Sequence, residues 1–494
     1  MERNKPNTFF SKSLFLRGLK CYKSLYLQKY HPELKDELPE SQQRLYETGF
    51  NVGCCARQLF PGGVEIPYER LSLQKQIQMT KEEIEHGTLT LYESAFQYNE
   101  IFIKSDILHK GSDGWELYEV KNALSIKDDN FHIEDVAIQY HVLRGSGLPV
   151  TKAFLVHLNG KYIKNGDIEI DKLFTIEDIT ESVKGKQPFI AEKVSEMKKM
   201  LMGDLPPIDI GKQCNLNGSC DFQQYCWQDI PDDSIFRLSG IGIDKYAYYQ
   251  RGIIKLSEFP LDKLNSNQRI QAEAFLNKTD YLDKKTLKDF LASLWYPLCF
   301  LDFETYMCPI PIYDGSRPYQ QIPFQYSLHI LEHQGADIKH IEYLAEPNRE
   351  PRKELLTTLL EHIPAESCVL MYTDFEKHRL RELAENFPEY SHEINRIIEN
   401  LTDLAVPFRK RAYYHYAMNG SSSIKAVFPV LIPGESYGGL EINNGMMAMD
   451  AYFRMCQSKD TEEIEAIRKA LLEYCYTDTL AMVKIFHKLR ELAC

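Results

Sequence analysis

No stretch of the 494-residue sequence approaches the roughly 18 consecutive apolar residues that a membrane-spanning helix needs, so an integral membrane protein is not expected. The opening Met1-Glu2-Arg3-Asn4-Lys5-Pro6 lacks the apolar core of a signal peptide, and a cytoplasmic location is the expectation. Internal repeats and low-complexity tracts are missing as well. Positive charge is in short supply: 58 Lys and Arg face 71 Asp and Glu, for a formal net charge of −13. That argues against a broadly basic nucleic-acid binder, although a local basic groove can hide in an acidic total. What is present is ordinary for a globular protein, 44% hydrophobic and 26% charged residues. The length is too great for one core and predicts two or three domains. Twelve cysteines should be mostly reduced in a cytoplasmic chain, with any cluster of them pointing to metal.

The segment Leu301-Asp302-Phe303-Glu304-Thr305 follows an apolar run from Leu294 to Phe300 that reads as a buried strand. Carboxylates two apart on a strand share a face, and side by side they repel unless a cation lies between them. Mg²⁺ and Mn²⁺ are held in this way. Far downstream, Tyr474-Cys475-Tyr476-Thr477-Asp478 lies between two helical runs, and its Tyr474 and Asp478, four apart, share a helix face. Between these, Val369 to Asp374 reads as a short strand running into a helix that starts near Phe375. The proline-rich stretch Pro309 to Tyr319 is expected as an irregular loop over the acids, and Pro323 to Ile330 as the next, antiparallel strand.

The first half carries a second set of acids. Three apolar runs, Thr88–Phe96, Ile101–Leu108 and Trp115–Val120, are separated by polar turns and predict a β-meander. It presents Glu93, Asp106 and the pair Glu119-x-Lys121, followed by a helix with Gln139 on a mostly apolar stretch. Acid, acid-x-lysine is what a metal-dependent phosphodiesterase needs: carboxylates to hold Mg²⁺, and a lysine to position water and steady phosphate charge. An amphipathic stripe of Leu45, Phe50, Val52, Ala56 and Leu59 precedes the meander. Cys21, in a helical start over residues 8–30, and the evenly spaced Cys214, Cys220 and Cys226 make a one-plus-three thiolate set. Zinc and a [4Fe–4S] cluster both fit it. Leu238-Ser239-Gly240-Ile241-Gly242 resembles a helix–hairpin–helix turn, and Gly420 to Lys425 reads as either a phosphate contact or a helix N-cap.

The DxE, middle acid and Tyr-x3-Asp pattern resembles the DEDD exonucleases of the RNase H-like fold. That resemblance implies two bound metal ions and a tyrosine, Tyr474, that orients the attacking water. The family's Asn-x-x-Phe-Asp pattern lays its middle acid on Glu376, with Tyr372 in place of the asparagine, while Asp374 competes for the role and Asp403 is a further acid nearby. Residues 8–230 resemble the RecB-type PD-(D/E)XK nucleases, including the iron–sulfur nucleases of CRISPR spacer acquisition. This implies [4Fe–4S] rather than zinc at the cysteines and catalytic roles for Glu93, Asp106, Glu119, Lys121 and Gln139. Ser105 replaces that family's proline, Glu93 its frequent histidine, and Leu143 the tyrosine four residues after the glutamine. The whole resembles a bacterial family of unknown function that joins the two folds. The expected organisation is α/β: a restriction-endonuclease-like domain over 1–230, a helical linker over 231–293, and an RNase H-like domain with a mixed sheet over 294–494. The expected activity is metal-dependent hydrolysis of DNA, exonucleolytic at single-stranded ends, with two catalytic centres. The alternative is a nucleic-acid-binding or scaffold protein with one or both centres inactive.

Overall fold

The computed structural model describes residues 8–37, 41–67, 71–126 and 131–494, with side chains from residue 49 onward in the second stretch. Met1–Pro6 and the Leu45 side chain lie outside the described residues. Two mixed α/β units make up the chain: Met1–Asp229 with Pro309–Tyr319, and Ile230–Cys308 with Gln320–Cys494. Among the described residues no helix is long and apolar enough to cross a membrane.

In the first unit, the strands are β1 (Phe10–Ser11), β2 (Val64–Glu65), β3 (Thr90–Tyr98), β4 (Ile101–Lys110), β5 (Trp115–Lys121), β6 (Val150–Leu158) and β7 (Phe174–Asp178). They lie in the order β2-β3-β4-β5-β6-β7, with β1 alongside β4. β3, β4 and β5 form the antiparallel meander predicted from the three apolar runs. Their first turn is tight because Asn99 and Glu100 both take positive φ, 48° and 58°, the twist a two-residue hairpin favours. β5 and β6 pair in parallel, and the helix between them covers the sheet.

Three helices of this unit border its acids and its N-terminal cysteine: α1 (Lys12–Lys20), α2 (Tyr22–Tyr30) and α3 (His132–Gly145). The predicted helical start breaks at Cys21, whose extended backbone (φ −164°, ψ 119°) ends α1 and opens α2. Pairing of β3 with β4 skips Glu93 and Asp106, and Glu93 takes φ +54°. Leu91 and Phe96, like Ile103 and Leu108, face the same core despite odd spacing. Both strands therefore change phase at the unpaired Glu93 and Asp106, with the register the same on either side. Pro309–Tyr319, expected as a loop over the acids of the opening strand, instead packs within this unit. Ile310 and Tyr319 insert into the core that contains Tyr118 and Val156, and Ser316 O accepts from Lys164 N at 3.0 Å.

The second unit opens with short helices around a small core of Ile235, Leu238, Leu256 and Phe259. Its Gly240-Ile241-Gly242 turn is held by glutamines of the helix Ser266–Asn277: Gln271 Oε1 accepts from Ser239 N at 3.0 Å, and Gln268 Nε2 donates to Ser239 O at 3.1 Å. β8 (Asp280–Leu282) pairs later with β14 (Tyr413–His415). The main sheet comprises β9 (Leu298–Tyr306), β10 (Ile322–Leu331), β11 (Lys339–Leu344), β12 (Cys368–Met371) and β13 (Leu401–Asp403), ordered β11-β10-β9-β12-β13. β10 runs antiparallel to β9 and β11, while β9, β12 and β13 are parallel. Its helices include α4 (Phe375–Asn386), α5 (Ile424–Leu431), α6 (Gly445–Gln457) and α7 (Thr461–Ala493). The two helical runs around Tyr474 are thus one continuous helix.

Alternation along β9 sets the site. Cys299, Leu301 and Phe303 enter one core with Tyr326 and Leu328. Phe300, Asp302 and Glu304 take the opposite face, where Phe300 meets Phe486 of α7 with ring centroids 5.8 Å apart.

Candidate functional site

At the end of β9, ligand oxygens of Asp302, Glu304 and Asp478 all lie within 4.8 Å of one another. Two come from one strand face and the third from α7, so the spacing two residues apart and four residues apart delivers them as the sequence predicts. Glu304 and Asp478 are buried, and Asp302 keeps some exposure. Glu376, in the first turn of α4, is buried with Oε2 unpartnered, whereas Asp374 is exposed. Burial raises Asp302 well above the usual carboxylate range, and repulsion from Asp478, Glu376 and Glu304 adds to it. Glu304 rises for the same reasons, partly opposed by Lys425. Glu376 is pushed to about 8 by burial, against backbone hydrogen bonds at its own amide and at Phe303, with Asp403 and Asp478 adding repulsion.

Several groups around these acids are invisible to the sequence patterns. Tyr437, in a short turn before α6, donates to Asp478 Oδ1 at 2.7 Å. Tyr474 also bonds Asp478. Lys425 of α5 donates to the Tyr474 hydroxyl at 3.2 Å and to Asn443 O at 2.6 Å, over the rings of Tyr437 and Tyr474. The Cys475 thiol lies 3.5 Å from Asp302 Oδ2. Asp403 is occupied elsewhere: its Oδ1 accepts from Thr373 N and Ala405 N, and Oδ2 from Arg409, so it caps a turn. In the stretch read as a phosphate contact or N-cap, Ser423 takes the N-cap position of α5, its hydroxyl accepting from Ser421 Oγ at 3.0 Å and making no capping bond to the helix backbone.

The acid set fits a divalent ion. Three carboxylates converge beside the buried Glu376, whose Oε2 is orphaned, and Lys425 lowers Glu304 and Asp478. Such a pocket is stable at neutral pH either by keeping protons or by taking up cations.

The predicted N-terminal acids meet differently. Glu119, Lys121 and Gln139 come together with Asp106 close by, joined by two residues the motif does not include, Lys12 and Asp135. Glu119 Oε1 accepts from Lys12 at 2.7 Å and Lys121 at 2.8 Å, and Oε2 from Gln139 at 2.7 Å. Asp135 Oδ1 lies 3.1 Å from both Lys12 Nζ and Gln139 Nε2, and Oδ2 accepts from Lys121. Burial drives Asp135 upward, but the two ammonium groups outweigh it and hold it well below the usual range. Asp106 accepts from Val120 N at 2.7 Å and is raised to about 7 by burial and by Glu119. Glu93 is a correction. No contact joins it to this set; its carboxylate pairs with Lys104 at 3.0 Å and Arg57 at 3.3 Å.

Cys21, Cys214, Cys220 and Cys226 line one small cavity. Burial raises the Cys21 thiol, and the backbone N–H groups of Ser24 and Lys23 at the start of α2 oppose that by favouring thiolate. The cysteine loop is latched to the N-terminal helices. Arg17 holds both Asp221 oxygens, at 2.6 and 2.9 Å, and Asp36 Oδ2 accepts from Gln223 N at 2.9 Å.

Residues 299–423 match a family described as Domain of unknown function (DUF2779), about a quarter of the chain. The match takes in Asp302, Glu304 and Glu376 and stops before Lys425, Tyr474 and Asp478. The chain is similar to the uncharacterized protein MG366 of Mycoplasma genitalium, 23% identical over 440 residues, which is 76% of this chain and 65% of that protein. It is also similar to the uncharacterized MG366 homolog of Mycoplasma pneumoniae, 28% identical over 290 residues, 51% of this chain and 43% of that protein. The chain therefore spans under two thirds of the length of either relative.

Proposed function

We propose that this chain is a metal-dependent nuclease that hydrolyses phosphodiester bonds of DNA, working exonucleolytically on single-stranded ends. The observation that carries the reading is the convergence of Asp302, Glu304 and Asp478 within 4.8 Å, beside a buried Glu376 whose Oε2 has no partner. The sheet order β11-β10-β9-β12-β13, with β10 antiparallel and the acids on its central strand, supports an RNase H-like unit of the DEDD type. Asp302, Glu304, Glu376 and Asp478 would hold the ions. Mg²⁺ or Mn²⁺ held there would supply stabilisation of charge on the attacking and leaving oxygens. Tyr474 would orient the attacking water, and its hydroxyl is fixed for that by Asp478 and Lys425. Tyr437 fixes Asp478, and Lys425 sets one positive charge beside the acids for a phosphate oxygen.

In the first unit, the meander, the parallel β5/β6 pair and the Glu119–Lys121–Gln139 contacts support a RecB-like PD-(D/E)XK fold with a second candidate centre. The four cysteines would hold a [4Fe–4S] cluster tying α1 and α2 to the end of the unit. Zinc, which four thiolates also hold, is the alternative at these sulfurs. A reading with one working centre is favoured by the lysines that already occupy Glu119 and Asp135. The test is digestion of single- and double-stranded DNA and RNA with Mg²⁺ or Mn²⁺ by wild type, Asp302→Ala and Lys121→Ala. Metal-dependent loss of DNA ends that vanishes in Asp302→Ala is expected. Wild type inert on every substrate with either ion leaves the scaffold reading.

A further inference from the structure

The N-terminal pocket holds three carboxylates, Asp106, Glu119 and Asp135, and two ammonium groups. One of the two, Lys121, belongs to the strand motif. The other comes from the first residue of α1 and is 2.7 Å from Glu119 Oε1 and 3.1 Å from Asp135 Oδ1. A lysine in the first turn of a helix is opposed by the helix dipole, so Lys12 is held by the pocket and not by its own helix. Gln139, fully buried, donates to Glu119 and Asp135 with its amide nitrogen, while its Oε1 has no partner. An unsatisfied buried acceptor beside the carboxylates is a second feature that calls for a cation or for water bound to one.

We propose that Lys12 is the resident cation of this pocket, standing where a divalent metal ion would bind, so that Mg²⁺ or Mn²⁺ enters only when the Lys12 ammonium leaves. Charge balance makes the two exclusive. With all acids ionised, the pocket carries one net negative charge with both lysines in place. A divalent ion in place of Lys12 brings it to neutrality, whereas a divalent ion added to Lys12 leaves a buried net positive charge. Geometry agrees: both Glu119 oxygens are already taken, Oε1 by the two lysines and Oε2 by Gln139. Displacing Lys12 leaves Oε1 to share between Lys121 and an ion, with Asp135 Oδ1 and Asp106 beside it.

The inference rests on reading this pocket as a metal centre, and it is measured by binding, so a chain that cleaves nothing still tests it. The parent is the full chain carrying Asp302→Asn and Asp478→Asn, which weakens the C-terminal site. Mn²⁺ affinity is measured by calorimetry in this parent and after adding Lys12→Met, Lys12→Gln or Lys12→Arg. Lys12→Met and Lys12→Gln should each gain one Mn²⁺ per chain, bound at least tenfold tighter than in the parent, and Lys12→Arg should stay like the parent. Equal Mn²⁺ affinity in parent and Lys12→Met, or no binding by folded Lys12→Met and Lys12→Gln, overturns the proposal. Acetylation of unmutated protein, read by mass spectrometry, needs no variant to fold. Lys12 should react at least tenfold more slowly than the exposed Lys81. Reaction of Lys12 as fast as Lys81 likewise overturns the proposal.

Discussion

Replacing Glu376 by glutamine should stabilise the metal-free protein at neutral pH, although the substitution falls in the proposed catalytic pocket. Burial and its acidic neighbours raise this carboxyl from an ordinary 4.5 to about 8. A raised carboxyl binds a proton more readily folded than unfolded, so its folded form is favoured at low pH. That advantage is full below pH 4.5 and is lost as pH rises toward 8. Between pH 5 and pH 7.5 the loss is about 3 kcal/mol, at roughly 1.4 kcal/mol per pH unit. Glutamine mimics the protonated acid and does not titrate, so Glu376→Gln should match wild type at pH 5 in chelator and exceed it by up to about 3 kcal/mol at pH 7.5. Hydrogen exchange of the β9 peptide under EX2 conditions reads this unit alone. With Mn²⁺ at a thousandfold excess over Kd the order should reverse, because ligand binding then stabilises wild type by roughly 4.1 kcal/mol. A wild type that gains stability from pH 5 to 7.5 in chelator, or a variant weaker than wild type at pH 7.5, refutes the reasoning.

Other outcomes rest on the same geometry. Tyr474→Phe should lower DNA cleavage about 10²-fold, in the range of a lost catalytic hydrogen bond, while Mn²⁺ affinity measured by calorimetry stays within about threefold. Asp374→Ala should leave cleavage unchanged within error, and Glu376→Ala should abolish it; the converse pattern moves the middle ligand to Asp374. Anaerobically purified protein should be brown and hold iron and sulfide, with Cys21→Ser, Cys214→Ser, Cys220→Ser or Cys226→Ser each bleaching it. Stoichiometric zinc without iron would end the cluster reading. Asp221→Asn, which loosens the Arg17 latch on the cysteine loop, should lower iron content without touching a sulfur ligand.

The acids of the second unit were legible because they obey local periodicities: Asp302 and Glu304 sit two apart on a strand, and Asp478 follows Tyr474 by one helical turn. The middle strand and the helix at Phe375 were equally readable, since a short apolar run and an N-terminal acid mark them. Tyr437, Lys425 and Cys475 were not, because they reach the site through a turn, a helix start and the reverse flank of a motif. No spacing rule singles out such contributions. Lys12 and Asp135 join residues far apart in sequence, and only tertiary packing brings them to Glu119. Glu93 departs from expectation because strand alternation assumes an unbroken ladder, and the ladder is interrupted at Glu93 and Asp106, where Glu93 takes a positive φ. Pro309–Tyr319 has the composition of a loop over the acids, yet Ile310 and Tyr319 find their apolar partners in the first unit.

Anomalous diffraction from crystals soaked in Mn²⁺ tests the central claim most directly. The account predicts two Mn²⁺ peaks bridged by Asp302, with Glu304, Glu376 and Asp478 as ligands and Asp374 in solvent. Manganese elsewhere in the chain with this pocket empty, or Asp374 bound while Glu376 points away, would contradict it.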